Sequence, residues 1–151
     1  MKPVTFWITG QPGSGKTTIG RALTEHLRRL GLTVVHLDGD DWRSLSGNID
    51  YSAEGRKRNV LSAQSMAAKL NESGVCVVAS FVSPIREMRE NFKAARAAVE
   101  IYTHTTDLRG REGYFVKDYQ PPESNFIDLD TTGKSVPAAL EWLLECLKLN
   151  R

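Results

Sequence analysis

The sequence predicts an α/β fold, a three-layer sandwich in which a mostly parallel sheet of five strands lies between helices. Two observations support this prediction. Short apolar segments alternate with helical patterns along the chain, and the segment VCVV is apolar throughout, as a strand buried on both faces should be. No repeat, low-complexity tract or linker interrupts the alternation, so residues 1–151 are interpreted as one domain.

The elements are placed by their apolar residues and by the glycines and prolines between them. Strands are expected at residues 4–9, 33–37, 75–79, 99–103 and 126–129. Helices are expected from the glycine-rich loop to residues 30–31, at 53–70, from residue 84 onward and at 134–149. Residues 44–51 are expected to form a loop. The apolar faces are assigned to Val60, Leu61, Met66, Ala67 and Leu70 in the helix at 53–70, and to Val136, Leu140, Leu143, Leu144 and Leu147 in the last helix.

Composition and charge argue against several classes of protein. Hydrophobic residues make up 40% of the chain and charged residues 25%, as in soluble globular proteins. The net charge of +2 gives little reason to expect a nucleic acid or a membrane as partner. No apolar run reaches the roughly 18 residues of a membrane span, and we expect no signal peptide. Cys76 and Cys146 are interpreted as small buried residues, which favours a reducing, cytoplasmic setting.

Residues 10–17, GQPGSGKT, match the pattern G-x-x-x-x-G-K-[ST] between a predicted strand and a predicted helix. Glycines in such a loop let the backbone turn tightly and direct N–H groups toward phosphate oxygens, and the helix start adds a positive field. Lys16 is expected to reach the β- and γ-phosphates, and the Thr17 hydroxyl to bind Mg²⁺. The motif therefore predicts binding of a nucleoside triphosphate, taken to be ATP. The predicted nucleotide-binding residues are Gly10, Gly13, Ser14, Gly15, Lys16, Thr17 and Thr18.

Three acidic residues follow the second predicted strand, at Asp38, Asp40 and Asp41. This is the carboxyl end of the strand, where open α/β sheets bind ligands. A carboxylate there could accept the proton of an attacking hydroxyl or organise the water shell of a metal ion. Asp41 is interpreted as a residue that stabilises a helix start. A plain turn built from Asp and Gly is the alternative.

Residues 105–124 show no clear periodicity and are too many for a simple connection. We predict that this lid segment covers the phosphate site, with Gly110 and Gly113 allowing hinge motion. A surface loop without function is the alternative.

Several segments of the chain follow one another in the order found in one protein family. They are GQPGSGKTT, LDGDDWR, a helix start with R-x-x-N, SFVSPIREMR and an R-x-x-x-G-aromatic stretch. Over nearly its whole length the chain resembles the adenylylsulfate kinases. The combination of D-G-D-x-x-R with F-V-S-P-x-R is the specific part, since very many enzymes share the phosphate loop. The resemblance implies a P-loop kinase sandwich with a mobile lid, which transfers the γ-phosphoryl group of ATP to the 3′-hydroxyl of adenylylsulfate.

The resemblance also implies roles for individual residues. Asp38 would lie near the magnesium ion and bind it with Thr17, while Asp40 would orient or deprotonate the attacking hydroxyl. With Lys16 these aspartates form the predicted catalytic set, and Arg109 would flank ATP. The residues expected to bind the acceptor are Asp40, Arg43, Tyr51, Arg56, Asn59, Phe81, Val82 and Ser83, the last three mainly through backbone groups.

Two further arginines follow in the same region. Arg86 and Arg89 are assigned either to the acceptor or to ion pairs on the helix surface, and for Arg89 the surface ion pair is favoured.

The lid segment departs from the family pattern. Gly110 stands where the family has aspartate, Glu112 stands where it has lysine, and the stretch expected after Lys117 is missing. A shorter lid excludes water less well and makes fewer contacts with the acceptor. Adenylylsulfate is therefore the leading acceptor, and another small alcohol, a nucleotide or a polynucleotide end is the alternative. An ATP-binding regulator without turnover is a third hypothesis, and a homodimer is left open because these kinases are frequently dimers.

Overall fold

The computed structural model describes residues 1–149, and within that range it contains five strands, five α-helices and one 3₁₀ turn. In chain order the elements are β1 (Thr5–Thr9), α1 (Lys16–Arg29), β2 (Val34–Asp38), α2 (Gly39–Ser46), α3 (Ala53–Glu72), β3 (Cys76–Ser80), α4 (Arg86–Ala95), β4 (Ala98–His104), the 3₁₀ turn (Glu112–Tyr114), β5 (Ile127–Asp130) and α5 (Val136–Leu147).

The five strands pair in parallel in the order β2-β3-β1-β4-β5. β1 lies at the centre, and all of its residues are buried. Its side chains alternate between the two faces of the sheet. Phe6 and Ile8 belong to an apolar cluster with α1 and α5, whereas Trp7 belongs to a second cluster with α3 and α4. The sheet is therefore covered on both faces, and the predicted three-layer sandwich is confirmed.

The carboxyl ends of the strands meet at one edge of the sheet, because parallel strands share a direction. Ser80 at the end of β3 pairs in register with Ile8 of β1 on one side and with Asp38 of β2 on the other. The glycine-rich loop leaves this edge after β1, and α2 leaves it after β2. The fold thus places the loop and the acidic segment at the same edge of the sheet, with the end of β3 between them.

The segment after β2 differs from the sequence-based expectation. A helix, α2, continues to Ser46, where a loop was predicted from residue 44, and Gly47 ends it with φ +68°. The carboxylate of Asp38 caps this helix by accepting a hydrogen bond from the backbone N–H of Asp40 at 3.1 Å. Asp38 is therefore the capping residue, and Asp41 lies exposed in the first turn, where its negative charge stabilises the helix start as predicted.

Some predicted apolar positions face solvent. In α3, Leu61 is 53% exposed and Met66 41% exposed, whereas Val60, Ala63 and Ala67 pack against the sheet. The spacing of three and four residues in the second group follows the helical period, which turns Leu61 and Met66 away. In α5, Val136 is exposed, and so is Cys146, which was predicted to be buried.

Arg89 forms an ion pair, but in the interior rather than on the helix surface. Its Nε lies 2.9 Å from Oε2 of Glu100 on β4, and both side chains are 1% exposed. The guanidinium also donates a hydrogen bond to the carbonyl of Ser83 at 2.6 Å. The predicted location was wrong because an acidic residue on the neighbouring strand and backbone carbonyls satisfy the guanidinium inside the fold.

The start of α4 lies slightly later than predicted, because Pro84 precedes the capping residue Ile85 instead of standing in the first turn. Arg86 is half-buried and pairs with Glu123 at 3.0 Å. Within residues 1–149, no helix combines the length and the apolar character that crossing a bilayer requires.

Candidate active site

The glycine-rich loop joins β1 to α1 at the carboxyl edge of the sheet and is shaped by close contacts. A Cβ at Gly10 would lie 2.3 Å from the carbonyl oxygen of Thr103, so no larger residue fits there. Gly15 caps α1 with φ +103°, in the left-handed region that favours glycine. This backbone directs the first N–H groups of α1 toward the loop, which is the arrangement that binds phosphate.

Two hydroxyl residues of the loop are placed differently. Ser14 is 2% exposed, and its hydroxyl lies 2.8 Å from that of Thr103, so its side chain faces the interior. Thr18 is exposed in the first turn of α1. The predicted contacts of both residues with the nucleotide stay predictions, and for Ser14 only the backbone is available.

Lys16 is a buried cation at the start of α1. Its side chain is folded into the loop, where Nζ donates a hydrogen bond to the carbonyl of Gln11 at 2.9 Å. Burial lowers the pKa of Lys16 to about 8, and the neighbouring charge of Asp38 opposes this effect. An anion at the loop would offset the cost of the buried charge, so the lysine is suited to hold a phosphate group.

Thr17 and Asp38 bring two oxygen ligands together. The Thr17 hydroxyl donates a hydrogen bond to Oδ2 of Asp38 at 2.5 Å. Magnesium is usually held by one or two carboxylates together with substrate phosphates and waters. Residues 1–149 contain no group of three or more His, Cys, Asp or Glu side chains that could hold a metal by themselves. The donor set of Thr17 and Asp38 therefore fits Mg²⁺ that is shared with a bound nucleotide.

Asp40 lies in the first turn of α2, next to this pair. Its backbone N–H donates a hydrogen bond to the Asp38 carboxylate at 3.1 Å, which places it beside the Thr17–Asp38 pair, and its side chain is exposed. Among the described residues no side chain donates a hydrogen bond to its carboxylate. Asp40 is thus available to a hydroxyl group that approaches from the open side of the site.

A cavity of about 230 Å³ lies between the start of α3, the segment after β3 and the lid segment. Arg56 and Ser83, two of the residues predicted to bind the acceptor, line it, and their contacts with an acceptor stay predictions. Lys57 and Asp118 add one charge of each sign, and Val116 belongs to its wall. The remaining lining residues are Ala53, Val60, Pro84, Ile85, Met88 and Gln120. The cavity is therefore mostly apolar, with charged groups at its walls.

Other predicted acceptor residues lie around this cavity without lining it. Phe81 is 2% exposed and stacks on Trp7, with ring centroids 5.1 Å apart. The carbonyl of Val82 accepts a hydrogen bond from Thr9 at 2.8 Å. Asn59 is 5% exposed, and its Oδ1 has no hydrogen-bond partner among the described residues. Their contacts with an acceptor stay predictions.

Arg43 and Tyr51 form a separate group at the end of α2. The guanidinium carbon of Arg43 lies 4.2 Å from the centre of the Tyr51 ring, and its Nη1 donates to the carbonyl of Asp50 at 3.1 Å. Tyr51 is 64% exposed, so its ring is available for a ligand.

The lid segment contacts the glycine-rich loop, and its role as a lid stays a prediction. Arg109 donates hydrogen bonds to the carbonyls of Gly13 at 3.0 Å and of Thr131 at 3.1 Å. Farther along, the Tyr119 hydroxyl lies 2.7 Å from that of Thr9 at the end of β1. Burial raises the pKa of Tyr119 to about 12, so its hydroxyl stays protonated. The lid segment is thus attached at both ends.

Sequence reasoning missed two residues at this contact, Gln11 and Arg111. The amide of Gln11 forms two hydrogen bonds with the backbone of Val116. Arg111 lies over the loop, with its Cβ 3.0 Å from where a Cβ of Gly13 would be, and its charge lowers the pKa of Lys16. The signals in the sequence were a polar residue inside the loop and a second arginine two positions after Arg109.

Comparison with known proteins identifies one family model and several similar kinases. The model of the family described as adenylylsulphate kinase matches residues 2–113. A cytidine diphosphoramidate kinase of Campylobacter jejuni is 33% identical over 133 residues, covering 85% of this chain and 78% of the relative. An adenylyl-sulfate kinase of Staphylococcus epidermidis is 30% identical over 169 residues, covering 97% of this chain and 85% of the relative.

Solved structures share the fold. The Mycobacterium tuberculosis APS kinase CysC in complex with AMPPNP and APS superposes with a TM-score of 0.83 at 23% identity, covering 97% of this chain and 98% of that chain. At this identity the likeness concerns the fold alone.

Proposed function

This chain belongs to the adenylylsulfate kinase family, and we propose that it transfers the γ-phosphoryl group of ATP to the 3′-hydroxyl of adenylylsulfate. The product would be 3′-phosphoadenylylsulfate. The observation that carries the proposal is the meeting of Lys16, the Thr17–Asp38 pair and Asp40 at one edge of the sheet, beside a cavity that contains Arg56.

The donor side follows from the glycine-rich loop. Backbone N–H groups at the start of α1 would bind the phosphates of ATP, and Lys16 would exchange its bond to the Gln11 carbonyl for one to a phosphate oxygen. Thr17 and Asp38 would hold Mg²⁺, whose chemistry there is to neutralise charge on the phosphates. Arg109 and Arg111 from the lid segment would add positive charge above the loop.

The transfer step needs a group that accepts one proton. The 3′-hydroxyl oxygen of the acceptor would form a bond to the γ-phosphorus, and the bond from that phosphorus to the bridging oxygen of ADP would break. The hydroxyl proton would pass to the carboxylate of Asp40, which is exposed and accepts no side-chain hydrogen bond within residues 1–149. Lys16 would stabilise the charge on the transferred group.

The acceptor side follows from the cavity. Arg56 and Lys57 would attract an anionic acceptor, and arginine matches the oxygens of a phosphate–sulfate group especially well. Apolar residues of the cavity, such as Val60 and Met88, would pack against a nucleobase. The carboxylate of Asp118 could accept a hydrogen bond from an exocyclic amine of that base.

Incubation of the purified protein with MgATP and adenylylsulfate tests the proposal. Chromatography with mass detection should reveal 3′-phosphoadenylylsulfate and ADP in equal amounts. The Asp40→Asn variant is the matched control, because it keeps the shape of the site and removes the proton acceptor. ATP turnover without the phosphorylated product would refute the proposal.

The alignments with the two relatives favour a second class of acceptor, because they differ in the number of gaps. The alignment with the Staphylococcus epidermidis enzyme spans 169 positions although the chain has 151 residues, so this chain lacks residues that the relative has. The alignment with the cytidine diphosphoramidate kinase spans 133 positions and covers 85% of the chain, so it needs far fewer gaps. The second candidate is therefore phosphorylation of a hydroxyl on a cytidine nucleotide with a phosphoramidate end.

Competition between the two acceptors separates the candidates. Adenylylsulfate and cytidine diphosphoramidate would be supplied together at equal concentrations below their KM values. The ratio of products then gives the ratio of kcat/KM. If more phosphorylated cytidine nucleotide than 3′-phosphoadenylylsulfate were formed, the cytidine nucleotide would be the preferred acceptor and the first candidate function would be rejected.

A further inference from the structure

Gln11 stands inside the glycine-rich loop, between Gly10 and Pro12, and its side chain is half-buried against the lid segment. Its amide pairs with both backbone groups of one residue. Nε2 donates to the carbonyl of Val116 at 2.8 Å, and Oε1 accepts from the N–H of Val116 at 2.9 Å. The pairing fixes the orientation of the side chain, because exchanging its oxygen and nitrogen would break both bonds.

The backbone of Gln11 is held as well. Its carbonyl accepts the hydrogen bond of Lys16 Nζ at 2.9 Å and that of the Ser14 N–H at 3.2 Å. The side chain is therefore presented to the lid segment from a fixed position in the loop.

Val116, on the other side of the pair, belongs to the wall of the 230 Å³ cavity. It lies in the lid segment between two other attachments. Arg109 holds the earlier part to Gly13, and Tyr119 holds the later part to Thr9. Within residues 1–149, the stretch between the 3₁₀ turn and Tyr119 is joined to the glycine-rich loop by the two hydrogen bonds of Gln11.

We infer that Gln11 is a positioning residue that fastens the lid segment to the glycine-rich loop and thereby sets the wall of the acceptor cavity. It acts through Val116 and does not need to touch either substrate. The inference rests on the proposed function, because it assigns the cavity to the acceptor nucleotide. Through Gln11, the loop that binds ATP would also influence the affinity for the acceptor.

The Gln11→Leu variant tests this role, since leucine keeps a similar size and removes both hydrogen bonds. Hydrogen exchange followed by mass spectrometry should show faster exchange in peptides that cover residues 112–118. The KM for the acceptor should rise roughly ten-fold, the loss expected for two ordinary hydrogen bonds, while the KM for ATP changes less than two-fold.

Gln64→Leu is the control for the exchange measurement alone, because it removes a glutamine that donates to a backbone carbonyl away from the loop, that of Met88 at 3.2 Å, and Met88 belongs to the cavity wall. This control should leave exchange at residues 112–118 unchanged. Unchanged exchange in Gln11→Leu would overturn the inference, and so would faster exchange with an unchanged acceptor KM. If neither acceptor were phosphorylated by the unmodified protein, the proposed function would fail, while the exchange result would still decide whether Gln11 holds the lid segment.

Discussion

Replacing Arg89 with methionine would remove a buried cation and leave its partner without its main counter-ion. Arg89 Nε lies 2.9 Å from Glu100 Oε2, with both side chains 1% exposed. The guanidinium also donates to the carbonyls of Ser83 and Gln120, and Gln120 belongs to the lid segment. The substitution therefore acts both on the core and on the attachment of the lid segment.

The size of the effect follows from burial. Removing one partner of a buried ion pair costs about 3–5 kcal/mol, because the other charge stays buried. Lys93 Nζ lies 3.1 Å from the second oxygen of Glu100 and compensates for part of the loss. We expect a loss of about 3 kcal/mol in the free energy of unfolding, which would lower the urea midpoint by roughly 1–2 M.

Urea denaturation followed by circular dichroism measures this loss. Arg96→Met is the control, because Arg96 is 47% exposed on its side chain and pairs with the exposed Glu72 at 3.4 Å, so it should cost less than about 0.5 kcal/mol. Adding Glu100→Gln to Arg89→Met removes the uncompensated charge and should restore about 1 kcal/mol or more. A loss below about 1 kcal/mol in Arg89→Met, or a double variant as unstable as the sum of the single ones, would refute the reasoning.

Three further predictions concern the site. Burial lowers the pKa of Lys16 to about 8, so the side chain is a cation below that pH and neutral above it. The Kd for ATP, measured by calorimetry, should therefore rise above pH 8. A Kd that stays constant from pH 7 to 9 would contradict this. Asp40→Asn should lower kcat about 10²–10⁴-fold and leave the KM for ATP unchanged, and near-normal kcat in steady-state assays would show that Asp40 is not the proton acceptor. Arg56→Ala should raise the KM for the acceptor about ten-fold or more without changing the KM for ATP. The control Arg58→Ala removes an exposed side chain that pairs with Asp50, and it should change neither KM. An equal effect of the two variants would show that Arg56 has no specific role.

The sheet and the glycine-rich loop could be predicted from the sequence because their signals are local. A strand buried on both faces is an apolar run, as VCVV before Ser80 demonstrates. The loop needs glycine at fixed positions because another backbone approaches it, as the carbonyl of Thr103 approaches Gly10. Both features can therefore be recognised from the residue types in a short segment of the sequence.

Features that depend on tertiary contacts were harder to predict. The helix α2 contains residues that disfavour helix, and the Asp38 carboxylate stabilises it by capping its start. The exposure of Leu61 depends on which face of α3 meets the sheet, and that face is chosen by the small residues Ala63 and Ala67. The bonds from Gln11 to Val116 join positions 105 residues apart, and no periodic pattern marks them.

For the candidate site too, residues in local motifs were predictable, and residues that depend on tertiary contacts were not. Lys16, Thr17 and Asp38 were predicted by motif, and the structure brings them together. On the acceptor side, Arg56, Lys57 and Ser83 line the cavity from α3 and from the segment after β3, whereas Val116 and Asp118 reach it from the lid segment, whose path no local pattern marks. The lid segment therefore supplies part of the cavity wall, and it is also the part of the chain that departs from the family pattern.

The most direct test of the account is the product formed when the protein receives MgATP together with adenylylsulfate and cytidine diphosphoramidate at equal concentrations. Separation of the nucleotides with mass detection measures each phosphorylated product against ADP. The account predicts that 3′-phosphoadenylylsulfate is the main product and that Asp40→Asn forms neither product at an appreciable rate. A predominance of the phosphorylated cytidine nucleotide, or ADP release without either product, would contradict it.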